Sequence, residues 1–198
     1  MKVCGLRTQA DVEVSVTAGA DAVGFVFTKS ARQVDAETVR GLIADVPDTV
    51  LTVGVFAGIP AAEAGRIAGE AGVGAVQLHG DYPAEAFKEL LGGPFRLIRA
   101  TALTEDTDVT VGAYGEDMLL LDSPVAGSGE RWDLSVLAQS RPSGTWLLAG
   151  GLAPANVTTA IETARPWGVD VSSGVESSRG VKDHELIRSF VRTARAAA

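Results

Sequence analysis

Short apolar segments alternate along the chain with segments of helical period. The apolar segments are rich in β-branched residues, which is typical of buried strands. The pattern predicts eight strands, at residues 1–6, 22–27, 49–56, 75–78, 96–101, 118–122, 145–149 and 169–172. Because most of these strands are followed by a segment with helix signals, the sequence predicts repeated βα units.

The helix signals between the strands vary in strength. Thr8 and Asp11 resemble a capping box and Gly19 is a stop signal, so we favour a helix there, although the valines within residues 12–16 alternate as in a strand. Residues 103–115 are poorly patterned, so the helix after strand five is expected to be short or missing. Further helices are predicted to start at Pro60, to follow the caps Asp35 and Asp183, and to cover residues 83–91, 134–140 and 154–164.

Continuous apolar strands separated by helices are typical of an α/β fold with a parallel sheet covered by helices. Eight such units in 198 residues favour a small closed (β/α)8 barrel, or TIM barrel, with a weak or missing helix after strand five. A doubly wound open sheet is the competing fold, but residues 4–7 lack the glycine-rich dinucleotide fingerprint expected after its first strand. No linker divides the chain, so we expect one domain spanning residues 1–198.

Composition limits both the cellular compartment and the kind of ligand that we expect. One cysteine excludes an intrachain disulfide, and no apolar segment is long enough to span a bilayer, so we expect a cytoplasmic protein without a membrane partner. A net charge of −8 argues against nucleic acid as a partner, because phosphate backbones require clustered basic residues. An anionic small substrate would need local donors that act against the overall field.

Polar side chains follow several of the predicted strands. Cys4, Arg32, His79 and Asp122 all come at or just after strand ends, and in a barrel the carboxyl ends of the strands form the active site. Asp122 follows an apolar run, so burial should raise its pKa and make it a usable acid. Taken alone, each residue also has an ordinary explanation: a buried thiol, a solvated arginine, a structural histidine, or a carboxylate that caps a turn.

Two glycine-containing turns indicate a phosphate site. They comprise Gly150 and Gly151 after strand seven, and Ser172, Ser173 and Gly174 after strand eight. Backbone N–H groups in these positions often hold phosphate in such barrels, although glycine also serves turns with positive φ. The pair of turns on adjacent strands favours phosphate binding.

Six sequence pieces on six predicted strands resemble one family, phosphoribosylanthranilate isomerase of tryptophan biosynthesis. They are residues 2–6 (KVCGL), 24–27 with 29–32 (GFVF, KSAR), 76–80 (VQLHG), 120–123 (LLDS), 148–152 (LAGGL) with Asn156, and 168–176 (GVDVSSGVE) with 180–183 (GVKD). The resemblance implies a cofactor-independent, metal-independent Amadori rearrangement of a phosphosugar. It implies no obligate protein partner.

The resemblance also implies roles for individual residues. Asp122 would be the general acid that opens the sugar ring, and Cys4 the general base, its pKa lowered by positive neighbours such as Lys2. Arg32 would bind the anthranilate carboxylate, and the two glycine-containing turns would bind the phosphate. His79 and Asp170 would line or shape the pocket.

The chain departs from the family pattern in two places. Ala31 stands where a proline is expected, and the glycine-rich loop reads AGSG at residues 126–129, followed by WDL at residues 132–134. These departures concern closure of the loop over the substrate and affinity. The alternatives are the related sugar isomerase of histidine biosynthesis, which would carry aspartate where this chain has Cys4, and a non-catalytic phosphosugar-binding barrel.

Overall fold

The computed structural model describes residues 1–104, 106–123, 137 and 141–197. Within these residues, eight parallel strands pair in chain order and close into a barrel, because β1 pairs with both β2 and β8. The predicted barrel is therefore confirmed, and the open sheet is excluded. The strands are β1 (Lys2–Cys4), β2 (Ala22–Val26), β3 (Leu51–Phe56), β4 (Ala75–His79), β5 (Arg96–Ala102), β6 (Met118–Asp122), β7 (Trp146–Leu148) and β8 (Gly168–Val171).

Helices pack around the barrel. The first is a helix and not a strand, because Thr8 accepts a hydrogen bond from the Asp11 N–H while the Asp11 carboxylate accepts one from the Thr8 N–H. It ends at Gly19, whose φ of 96° is left-handed. The helices are α1 (Gln9–Ala18), α2 (Ala36–Leu42), α3 (Ala61–Ala71), α4 (Ala84–Lys88), α5 (Val157–Ala164) and α6 (His184–Ala197).

Some predicted boundaries are wrong. α2 stops at Leu42, so Val46 of the predicted apolar stripe lies beyond it, and α4 is shorter than predicted at its C-terminal end. The helix predicted over residues 134–140 lies outside the described residues, apart from Leu137, which is buried. The loop pieces at residues 126–129 and 132–134 also lie outside them.

Between β5 and β6, the described residues 103–104 and 106–117 contain no helix, in agreement with the prediction of a weak or missing one. Arg99 of β5 is buried there, with Nε donating to Glu116 Oε1 at 2.8 Å and Nη2 donating to the carbonyls of Asp108 and Thr110 at 3.0 Å. Its Cζ lies 4.5 Å from the centroid of the Tyr114 ring. This polar network packs against the outside of β5 where a helix would otherwise lie.

The interior of the barrel is mostly apolar, with Lys2, Gln77 and Asp170 as buried polar residues. Side chains alternate along each strand, so Lys2 and Cys4 share the inward face of β1, and Gln77 and His79 share that of β4. The buried apolar cluster that includes Cys4 consists otherwise of Val53, Val55, Ala75, Ile98, Ala100, Met118, Leu120, Leu147 and Ala149.

A small antiparallel hairpin follows β8 and was not predicted. A short 3-10 helix, Ser173–Val175, leads into β9 (Glu176–Ser178), which pairs with β10 (Val181–Lys182). The hairpin lies between β8 and α6 in the chain, at the end of the barrel where the predicted site residues converge. Its side chains are therefore available to that site.

Candidate active site

One cavity of about 310 Å³ opens at the carboxyl ends of the strands. Every predicted site residue except Gly174 lines this cavity. Among its lining residues are Cys4, Arg32, His79, Asp122, Gly150, Gly151, Asp170, Ser172 and Ser173.

Gly174 lies outside this lining. A Cβ on Gly174 would collide with the carbonyl group of Leu152, so glycine allows the turn after β8 to pack against the loop after β7. Gly150 and Gly151 have left-handed φ values of 83° and 63°, and the turn they form is held by Asn156, whose Nδ2 donates to the Gly151 carbonyl at 2.9 Å. The second turn therefore presents Ser172 and Ser173 to the cavity, whereas Gly174 has a packing role.

Cys4 is the last residue of β1, and its side chain lies in a narrow space inside the barrel. A Cβ on Gly24 of the adjacent strand would lie 2.8 Å from Cys4 Sγ and 3.2 Å from Lys2 Cε. Lys2 in turn donates from Nζ to Asp170 Oδ1 at 2.9 Å, and its side chain is fully buried. The missing side chain at Gly24 thus makes room for a thiol beside a buried ion pair.

The charges around Cys4 act in opposite directions. Burial raises the pKa of the Cys4 thiol, Lys2 and Lys182 lower it, and Asp170 raises it, with a net upward shift. Lys2 lowers the pKa of the thiol, as expected, but the net pKa is raised because burial outweighs the lysine. Burial also disfavours the charged form of Lys2, but the charge of Asp170 and the adjacent thiol outweigh that effect and raise the pKa of Lys2.

Asp122 has the environment that the sequence predicted. Its carboxylate accepts a hydrogen bond from the Ser123 N–H at 2.7 Å, and its Oδ2 lies 4.0 Å from His79 Nε2. Burial raises the pKa of the Asp122 carboxyl, opposed chiefly by His79 and by the Ser123 N–H, and the net shift is upward. The group therefore retains its proton to a higher pH than an ordinary aspartate does.

Arg32 lines the cavity and is held by a neighbour that the sequence analysis did not assign. Its Nε and Nη2 donate to the two carboxylate oxygens of Glu176 at 2.6 and 2.9 Å. Lys182 donates to the same carboxylate at 3.0 Å and to the Ser172 carbonyl at 2.8 Å. Both Glu176 and Lys182 belong to the hairpin.

Gln77 and Arg179 are two further lining residues that sequence analysis did not single out. Gln77 is 2% exposed, and its Oε1 has no hydrogen-bond partner among the described residues. The sequence did contain a signal for Gln77, because it lies two residues before His79 and that spacing places both side chains on one face of β4. Arg179 is exposed in the turn of the hairpin, where no strand pattern marked it.

The described residues offer neither a metal site nor a membrane-spanning helix. Within the described residues, no group of three or more His, Cys, Asp and Glu side chains is arranged to hold a metal ion. In the same part of the chain, no helix combines the length and the apolar character needed to cross a membrane.

Comparison with known proteins points to a single family over nearly the whole chain. The family model described as N-(5'phosphoribosyl)anthranilate (PRA) isomerase matches residues 1–193. A curated N-(5'-phosphoribosyl)anthranilate isomerase from Thermotoga neapolitana is 44% identical over 201 residues, with 98% of each chain covered.

Solved structures give the same result. The crystal structure of TrpF from Jonesia denitrificans matches with a TM-score of 0.91 and 48% identity, covering 99% of this chain and 96% of that one. A phosphoribosyl anthranilate isomerase in complex with reduced 1-(o-carboxyphenylamino)-1-deoxyribulose 5-phosphate matches with a TM-score of 0.85 and 36% identity, covering 98% and 97%.

Proposed function

The chain belongs to the phosphoribosylanthranilate isomerase family, and we propose that it catalyses the family's reaction with Cys4 as general base and Asp122 as general acid. Proteins of this family are aldose–ketose isomerases of tryptophan biosynthesis, so the chain is an enzyme of that class. The reaction converts N-(5-phosphoribosyl)anthranilate into 1-(o-carboxyphenylamino)-1-deoxyribulose 5-phosphate. The solved relative that carries a reduced form of this product supports a phosphosugar as the substrate.

The proposed mechanism consists of proton transfers. Neutral Asp122 donates a proton to the furanose ring oxygen, which opens the sugar to a protonated Schiff base. The Cys4 thiolate then removes the proton from C2′, and the electron pair of that bond neutralises the Schiff base to give an enolamine. Tautomerisation of the enolamine gives the ketone, so the overall change is an isomerisation.

The observation that carries this proposal is that Cys4 and Asp122 line the same cavity from different strands. β1 and β6 are separated by β7 and β8 on the shorter way around the barrel, so the thiol and the carboxyl approach the cavity from different directions. An acid and a base in these positions suit a substrate that is protonated at one atom and deprotonated at another. The raised pKa of Asp122 supports its role as the acid.

The rest of the lining suits the two anionic ends of the substrate. Arg32 provides a guanidinium for the anthranilate carboxylate. The turns that begin at Gly150 and Ser172 lie on adjacent strands and provide backbone N–H groups for the phosphate. We propose that His79 and Asp170 shape the cavity through their contacts with Asp122 and Lys2.

Turnover of freshly generated phosphoribosylanthranilate, followed by the loss of anthranilate-type fluorescence, tests the proposal. Wild type should turn over, and Cys4→Ser and Asp122→Asn should each lose about 10²- to 10⁴-fold in kcat while still binding the reduced product. Glu70→Gln, which removes one partner of an exposed ion pair with Arg66, is the control and should behave as wild type.

Two results would contradict the proposal in different ways. If Cys4→Ser or Asp122→Asn retains nearly full activity, that residue does not have the assigned role. If wild type binds phosphosugars but does not turn over the substrate, the reaction itself is wrong, and the aminoaldose substrate of histidine biosynthesis becomes the one to test.

A further inference from the structure

The hairpin after β8 carries buried charges that the proton-transfer steps do not use. The side chains of Glu176 and Lys182 are 4% and 1% exposed, and that of Arg32 is 20% exposed. Together the three groups carry one net positive charge. This excess of positive charge beside a buried carboxylate favours an anionic ligand in the adjoining cavity, because Lys182 and most of Arg32 have little water to stabilise the charge.

The carboxylate of Glu176 is saturated with donors. Oε1 accepts from Arg32 Nε at 2.6 Å and from Lys182 Nζ at 3.0 Å, while Oε2 accepts from Arg32 Nη2 at 2.9 Å and from the Gly180 N–H at 3.0 Å. Burial disfavours the ionised form of Glu176, but the bonds from Arg32 and the other donors outweigh it and lower its pKa to about 2. Glu176 is therefore a fixed anion with a fixed orientation.

This arrangement uses only one edge of the guanidinium. Arginine has two edges that can make a two-pronged bond to a carboxylate, one formed by Nε and Nη2 and the other by Nη1 and Nη2. Glu176 occupies the first edge. The stem of Arg32 is also confined, because a Cβ on Gly5 would lie 2.6 Å from its Cδ.

We propose that Glu176, held by Lys182 and Gly180, is a positioning residue that fixes Arg32 so that its second edge binds the carboxylate of the substrate. The inference rests on the proposed function, because it assigns the specificity for the anthranilate carboxylate to the hairpin. Fixing the guanidinium before binding avoids the entropy of ordering a long side chain. It also makes lysine unsuitable at position 32, since an ammonium group lacks the two edges.

Binding of three ligands to wild type, Glu176→Gln, Arg32→Lys and Glu70→Gln tests the proposal. The ligands are reduced 1-(o-carboxyphenylamino)-1-deoxyribulose 5-phosphate, the same compound without its carboxyl group, and ribose 5-phosphate. Glu176→Gln and Arg32→Lys should each weaken binding of the carboxylated ligand by about 10- to 100-fold, which corresponds to the loss of charged hydrogen bonds. They should leave the other two ligands within about threefold of wild type, and Glu70→Gln should change none of the three.

The ribose 5-phosphate measurement also shows that each variant keeps a folded phosphate site. The proposal is overturned if Glu176→Gln weakens all three ligands equally, because Glu176 is then a general scaffold residue, and also if it weakens none. The double variant Glu176→Gln/Arg32→Lys should lose less affinity for the carboxylated ligand than the two single losses combined, because both substitutions act on one contact. Failure of the proposed function is a separate outcome, namely the absence of turnover by wild type.

Discussion

At the scale of single residues, the two proposed catalytic groups need opposite protonation states. Both pKa values are raised, by burial in each case. A carboxyl ordinarily loses its proton at a much lower pH than a thiol does. When the pair has lost one proton, the form with thiolate Cys4 and neutral Asp122 is therefore the less populated of the two possible forms. The kcat/KM profile should therefore be bell-shaped, with an acid limb for the first proton lost by the pair and an alkaline limb for the second.

Lys2 and Asp170 should move the alkaline limb in opposite directions. Lys2 lowers the pKa of Cys4, so Lys2→Met should shift the limb to higher pH and decrease the rate. Asp170 raises that pKa, so Asp170→Asn should shift the limb to lower pH. Because Cys4 is the only cysteine of the chain, the pH dependence of its alkylation by iodoacetamide measures the same shift directly.

A shift of both variants in the same direction would mean that loss of the ion pair reorganises the cavity. The charges would then not act independently on the thiol. The exposed-pair variant Arg188→Met is the matched control, because it removes one cation of an ion pair on α6 and should leave both pH profiles unchanged.

Substitution of Gly24 should affect catalysis as strongly as substitution of a residue that takes part in the reaction. A Cβ at this position would lie 2.8 Å from Cys4 Sγ, so Gly24→Ala should displace the thiol and lower kcat by about 10-fold or more, with a stability cost of about 1–3 kcal/mol. Gly41→Ala in α2 is the control, since a Cβ there meets nothing within 4 Å, and it should stabilise the protein by about 0.5–1 kcal/mol. Normal kcat in Gly24→Ala would show that the strand relaxes around the added methyl group.

At the scale of secondary-structure elements, the Arg99 network takes over the packing role of a helix. Glu116→Gln should destabilise the protein by about 3–5 kcal/mol, because it leaves the buried Arg99 without its counter-ion. Neither residue lines the cavity, so kcat of the folded enzyme should not change. Urea unfolding measures the first effect and steady-state kinetics the second. Glu185→Gln in an exposed pair should cost less than about 1 kcal/mol, and an equally small cost for Glu116→Gln would contradict the argument.

The same elements show which parts of the structure could be predicted from sequence. Caps are local, so the Thr8 capping box identified α1 correctly in spite of the alternating valines, and Asp35 marked the start of α2. The weak pattern after β5 correctly predicted a weak or missing helix. The hairpin was missed because strands of three and two residues carry too little periodicity to be recognised.

The sequence predicted many of the residues that line the cavity, but it did not predict their hydrogen-bonded partners. Strand ends converge in any parallel barrel, so the residues at those ends were bound to meet. The bonds from Arg32 to Glu176 and from Lys2 to Asp170 join residues 144 and 168 positions apart, and no local pattern encodes them. The net direction of the Cys4 pKa was likewise beyond any local pattern, because burial, the largest cause, and Asp170 together outweigh the charges of Lys2 and Lys182.

At the scale of the whole molecule, the first and last strands of the barrel meet where it closes. β1 and β8 pair through only Lys2 with Asp170 and Val3 with Val171. Outside this closure, Arg195 of α6 donates to the Gly19 carbonyl at 2.7 Å. The Lys2–Asp170 ion pair therefore lies across the closure of the barrel and beside the thiol, so we expect this one contact to affect both stability and the reactivity of Cys4.

This double role predicts effects on stability that differ from the effects on pH dependence. Lys2→Met and Asp170→Asn should each lower the free energy of unfolding by about 3–5 kcal/mol, because each leaves one buried charge unpaired at the closure. The double variant should lose less than the sum of the two, because neither charge then remains to be neutralised. Urea unfolding of the four proteins completes this cycle, and additive losses would show that the pair does not couple the two strands. Because the single variants are expected to move the alkaline limb in opposite directions but to change stability in the same direction, a general loss of structure would not produce both results.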